Sequence, residues 1–140
     1  MKRLFFAVFA VAVAATMPSA ANAQDKVSPE TVTGTTSVDT AKAKALFDKG
    51  IAFVDVRSDK DWDAGRIPGA VHIELKSKFN EAALADAIKG KDKEVVMYCN
   101  GHKCLRSSEA AEMAVKWGFS KIYYYRDGFP AWQSAGNPVE

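Results

Sequence analysis

Two cysteines, the only two in the chain, stand five positions apart in the stretch Cys99-Asn-Gly-His-Lys-Cys-Leu-Arg-Ser107. Around them lie residues that are small, polar or basic: Asn100, Gly101, His102, Lys103, Arg106 and Ser107, with Leu105 the one aliphatic side chain. A loop of this composition cradles an anion. Its backbone N–H groups, its cationic side chains and the N-terminus of a following helix all favour thiolate over thiol, which lowers a cysteine pKa from about 8.5 toward the range of about 3.5 to 7.5. A thiolate held there is a nucleophile. Cys99, at the mouth of the loop, is the candidate catalytic residue, and residues 100–107 are the candidate substrate- or anion-binding loop.

Such a loop needs a strand before it and a helix after it. Glu94-Val-Val-Met-Tyr98 has the near-continuous apolar character of a buried strand, and the run Ser108–Trp117 reads as a helix stopped by Gly118. Upstream, Asp39 can cap a helix that runs to about Asp48, with Ala41, Ala45 and Leu46 on one side and Gly50 ending it. Ile51–Val56 is a second buried strand, broken by one acid, Asp55. Residues 57–69, with Gly65, Pro68 and Gly69, read as a long ordered connection to a short strand at Ala70–Ile73. Asn80 can cap a helix over about Glu81–Lys89, Lys121–Tyr125 is a last strand, and a short helical stretch falls near Pro130–Ser134. Strands alternating with helices predict an α/β fold of three layers, with a mostly parallel central sheet flanked by helices. In such sheets the site lies beyond the carboxyl ends of the strands, which is where Cys99 falls.

Residues 1–23 have the pattern of a secretory signal peptide: Lys2 and Arg3, an apolar run from Leu4 to Ala15, then Ala21-Asn-Ala23. The run is 12 residues long, short of the roughly 18 needed to span a bilayer. Cleavage is expected after Ala23, giving a periplasmic protein with no membrane segment. The mature chain would hold 117 residues with 17 basic and 17 acidic side chains. That balance offers no excess positive charge to nucleic acid. Residues 24–36, with Pro29, Gly34 and several Ser and Thr, read as a flexible lead-in without a function of its own, and residues 37–140 as the folded domain.

Four motifs occur in order along that domain: Val54-Asp-Val-Arg57; Trp62-x-x-Gly65-Arg-Ile-Pro-Gly-Ala-Val-His72; the strand with Cys99 and the Arg106-Ser107 helix entry; and Asp127-Gly-Phe-Pro-Ala-Trp132 with Gly136-Asn-Pro-Val139. In these the chain resembles the rhodanese-like sulfurtransferases. The resemblance implies that Cys99 takes a sulfane sulfur from a small anionic donor such as thiosulfate, becomes a persulfide, and passes the sulfur to a thiol or cyanide, with no cofactor and no metal. Arg106 is then the charge that draws the donor. Asp55 and Arg57 support the site loops, Trp132 packs at the site's edge, and His72 is a structural residue. Trp62 and Trp117 are expected in the core.

The chain also departs from that family. The usual loop places the arginine five residues after the nucleophile, and here Arg106 follows Cys99 by seven. Phosphatases and arsenate reductases of the same fold use six, so the lengthened loop leaves the substrate open. Asp127 stands where many members have a glycine. Cys104 has only Cys99 to pair with, and an oxidising compartment would allow a disulfide in a ring small enough to be readily reduced. Cys104 would then resolve the Cys99 persulfide, or the pair would exchange electrons with a periplasmic redox protein. A non-catalytic module that binds an anion or a partner is a third class. Cys99, His102 and Cys104 also have the types of soft metal ligands, but three are few for a structural site and His72 is distant in sequence, so no metal is assigned.

Overall fold

The apolar runs become the strands of one parallel sheet. A computed structural model describes residues 26–140, so the signal-peptide reading of residues 1–23 lies outside the described residues. The elements are β1 (Thr36–Ser37), α1 (Thr40–Asp48), β2 (Ala52–Asp55), α2 (Asp59–Ala64), β3 (Val71–His72), α3 (Glu81–Ile88), β4 (Glu94–Tyr98), α4 (Arg106–Lys116), β5 (Lys121–Tyr125) and α5 (Gly128–Ser134). The strand order is β1-β5-β4-β2-β3, and all pairs are parallel.

Alternation along the strands divides the core into two layers. Val54, Val56, Val95, Met97, Cys99, Ile122 and Tyr124 meet Leu84 and Ile88 of α3 and Ala110, Ala111 and Ala114 of α4. Phe53, Val96, Tyr98 and Tyr125 meet Ala43 and Leu46 of α1 and Trp132 of α5. The expected three-layer α/β architecture is present, and the strand period of two places Cys99 on the α3/α4 side. The chain runs outward from β2 to β3, returns to lay β4 on the other side of β2, and continues to β5. The order therefore reverses between β2 and β4, and the crevice beyond their carboxyl ends is where ligands bind in open α/β sheets. Asp55 ends one of these strands and Tyr98 ends the other, in register with each other.

Three local expectations are corrected. The connection 57–69 contains α2, whose N-cap Ser58 accepts from the Asp61 N–H; its polar sequence hid a helix that has no buried residue. The inner face of α1 is Ala43 and Leu46, while Ala41 and Ala45 are exposed, because the Asp39 cap sets the phase of the helix. Trp62 and Trp117 are only half-buried: Trp62 stacks on His72 at 4.7 Å and carries the Arg66 guanidinium over its ring, and Trp117 meets Phe79 at the edge of the core.

The segment read as a flexible lead-in is packed from residue 28 onward. Ser28 and Val32 are buried, the Tyr124 hydroxyl donates to the Pro29 carbonyl at 2.9 Å, and Thr36–Ser37 pairs with β5. A polar strap held by backbone bonds has no apolar period to announce it.

Candidate active site

Cys99 follows the last residue of β4 and is 1% exposed. Its carbonyl accepts from the Phe129 N–H at 2.9 Å. Behind that contact Gly128 has φ 68°, and a Cβ there would stand 2.3 Å from the Cys99 carbonyl oxygen. Any side chain at 128 would push the Cys99 backbone out of place, so this glycine is required by close approach as well as by conformation.

The loop is held residue by residue. The Asn100 Oδ1 accepts from Arg57 at 3.3 Å, and its Nδ2 donates to Asp61 Oδ2 at 2.9 Å. Gly101 is buried against the backbone of Asp127, and its carbonyl accepts from the Cys104 N–H at 3.0 Å. The His102 carbonyl accepts from both the Ser28 N–H, at 2.7 Å, and the Ser28 hydroxyl, at 2.9 Å, while Arg126 donates to the Ser28 carbonyl and hydroxyl. The His102 ring meets Asp127 Oδ1 at 2.6 Å. Cys99 and Cys104 are joined in a disulfide with Cα atoms 6.3 Å apart. In this oxidised state the two sulfurs occupy each other.

Asp55 and Arg57 form a buried pair beside the loop. Both are buried, and Arg57 donates to Asp55 through its backbone N–H, Nε and one terminal nitrogen, at 2.6 to 3.0 Å. Another bond at 2.6 Å reaches the Gly65 carbonyl, which ties the α2 connection to the same guanidinium. Burial opposes the Arg57 charge, but hydrogen bonding and attraction from Asp55 raise its pKa above the ordinary value. Burial likewise works to raise Asp61, yet hydrogen bonds from Ser58 and Asn100 and the nearby Arg57 and Arg106 hold its carboxyl below the usual range.

Arg106 begins α4 and is paired with Glu74, and it also reaches the Val56 carbonyl at 3.4 Å. Glu74 is 8% exposed. Hydrogen bonds from Ser77 and Arg106 hold its carboxyl down to about 2. The cation expected to draw an anionic donor thus carries a buried counterion. Sequence reasoning missed Glu74, although an acid between Ile73 and Leu75 is a readable signal; it also missed Ser28 and Asp61, which have none.

The N-terminus of α4 has no side-chain cap, whereas α1, α2 and α3 are capped by Asp39, Ser58 and Asn80. Its first N–H groups and dipole therefore remain available to negative charge in the loop. Ser107 and Ser108 are buried in that first turn, and the Ser108 hydroxyl donates to the Leu105 carbonyl at 2.8 Å. The arrangement can stabilise a Cys99 thiolate once the disulfide is opened.

His72 is structural, with Nε2 2.9 Å from the Arg57 carbonyl oxygen. Trp132 is not at the site's edge. It is fully buried, stacks edge-on with Phe47 and Phe53, and donates to the Pro138 carbonyl at 2.7 Å. Its motif sits on α5, whose inner face turns to the α1 layer and not to the Cys99 layer. Two surface clefts, one bordered by Gly34, Glu94 and Tyr123 and the other by Pro29, Glu112 and Lys116, do not border Cys99.

A parallel α/β domain with a cysteine-headed loop between β4 and α4 defines a class, and the chain belongs to it: residues 39–135 match the rhodanese-like domain family. The chain is 34% identical over 94 residues to the thiosulfate sulfurtransferase GlpE of Pseudomonas savastanoi pv. phaseolicola, covering 66% of this chain and 82% of that protein. It is also 34% identical over 92 residues to the HTH-type transcriptional regulator Rv0324 of Mycobacterium tuberculosis, covering 64% of this chain but 38% of the regulator. Among solved structures, the BH2092 protein from Bacillus halodurans superposes with a TM-score of 0.66 at 28% identity, covering 75% of this chain and 76% of that one.

Proposed function

We propose that the protein is a sulfurtransferase in which Cys99, once reduced, takes a sulfane sulfur from a small donor such as thiosulfate and passes it to a thiol or cyanide. One observation carries the reading: a buried cysteine at the end of the central strand heads a held loop that enters an uncapped helix N-terminus. The thiolate attacks the outer sulfur of the donor, the donor's S–S bond breaks, and sulfite leaves with the electron pair. The loop N–H groups and α4 then face the persulfide anion. Likeness to GlpE, a protein named as a thiosulfate sulfurtransferase, supports the reaction class. The leader-like residues 1–23 and the disulfide together support export to an oxidising compartment, the periplasm of a two-membrane bacterium.

The test is the intact mass of the protein carrying Cys104→Ser, reduced, desalted and mixed with thiosulfate. A gain of about 32 Da mapped to Cys99, absent when Cys99→Ser is added, is the expected outcome. No gain overturns the reading. The disulfide favours one other reading, a thiol-disulfide partner of a periplasmic redox protein. It requires Cys99 and Cys104 equally, and no sulfur loading.

A further inference from the structure

We infer that Cys104 is the resolving residue of the site, so that the protein converts sulfane sulfur to hydrosulfide and must be regenerated by a dithiol reductant. The inference rests on the Cys99 persulfide reading and says where that sulfur goes next.

The folded protein already brings the two cysteines to bonding distance. Their Cα separation of 6.3 Å lies within the range of about 4.4 to 6.8 Å that a disulfide spans without backbone movement. Both side chains lie on the α3/α4 side, Cys99 buried and Cys104 half-buried against the same core layer. The turn between them is fixed from outside by Arg57 and Asp61 on Asn100, by the Gly128 approach behind Cys99, and by Ser28 on His102. A Cys104 thiol is thus held beside Cys99, and oriented intramolecular reactants behave as though at concentrations that reach on the order of 10⁵ M.

The chemistry balances. The Cys104 thiol passes its proton to the outer sulfur of the persulfide anion, its sulfur attacks the Cys99 Sγ, the Sγ–Sγ bond forms, and the bond to the outer sulfur breaks with its electron pair on hydrosulfide. Two cysteines are oxidised to the disulfide and one sulfane sulfur is reduced. The uncapped α4 N-terminus favours the departing anion. A dithiol then reopens the bond. Cys104 is the more exposed partner, so the incoming thiolate joins Cys104 and frees Cys99 as the leaving thiolate, the species its loop stabilises.

The test uses the reduced, desalted protein with thiosulfate and no added thiol. The protein with both cysteines should release about one equivalent of hydrosulfide per chain, at a rate independent of protein concentration, and end about 2 Da lighter as the disulfide. The Cys104→Ser protein should keep the added sulfur and release less than about a tenth as much. With dithiothreitol as the probe reductant, the protein with both cysteines should turn over many times without cyanide. A stable persulfide on the protein with both cysteines, or release whose rate rises with protein concentration, overturns the inference while leaving Cys99 sulfur transfer intact. Failure of Cys104→Ser to load while the protein with both cysteines releases hydrosulfide also overturns this division of roles. Failure of both proteins to take up sulfur or release hydrosulfide overturns the Cys99 reading and this step with it.

Discussion

The two ends of the Cys99–Cys104 loop are held by polar pairs of different kind, one buried and one exposed. At the Cys99–Asn100 end the anchor is Asp55–Arg57, with side chains 0% and 3% exposed. At the His102–Cys104 end it is His102–Asp127, with side chains 51% and 38% exposed. A buried pair that loses one partner leaves a charge in low dielectric, whereas an exposed pair loses little because water replaces the partner. Cys99 is thus tied to the stability of the whole fold, and the His102–Asp127 contact at the Cys104 end is the weaker tie. That difference suits the proposed roles, in which Cys99 stays in its cradle and Cys104 makes and breaks a bond to it.

The largest effect is expected for Arg57→Ala. It strands the Asp55 carboxylate in the core and releases Asn100 and the Gly65 carbonyl together, so a loss of about 3–5 kcal/mol is expected in urea unfolding. A loss below about 1 kcal/mol would make the two anchors equivalent. The next effect depends on pH. Glu74 is held down to about 2 by Ser77 and Arg106. Its folded pKa is depressed, so its stabilisation is complete above the unfolded value of 4.5 and is lost as pH falls from there through about 2. Unfolding midpoints of the unmodified protein and Glu74→Gln should therefore differ most near neutral pH and converge as pH falls toward 2. A constant difference would remove Glu74 from the acid response. The smallest effect on stability is expected for Asp127→Asn, within about 1 kcal/mol, because the pair is exposed. Its readout is the rate at which dithiothreitol opens the disulfide, which should rise as the His102–Cys104 end loosens. An unchanged rate would mean that Ser28 alone holds that end.

Much of the site was readable because its chemistry is local. The Cys99–Ser107 loop lies in one continuous stretch, and Asp55 and Arg57, two residues apart, pair within one strand exit. Trp132 was misplaced for a reason of the same kind. Its motif lies close to the loop contact made by Gly128 and Phe129, but the helical turn of α5 carries the indole to the opposite layer. The α2 helix stayed hidden because a six-residue polar helix on the surface has no apolar stripe.

Residue order alone was enough for the buried strands, the capping side chains Asp39 and Asn80 and the α/β class, since each depends on neighbours a few positions away. Which acid neutralises Arg106, and what closes over His102, depended on the sheet order. Glu74 is 32 residues from Arg106 in the chain, and Ser28 is 74 residues from His102. Such pairs have no sequence period to mark them, because they form only when β3 and the N-terminal strap are brought beside the end of β4. Burial then makes each bond count, since a polar group removed from water must find its partner in whatever the fold has placed beside it.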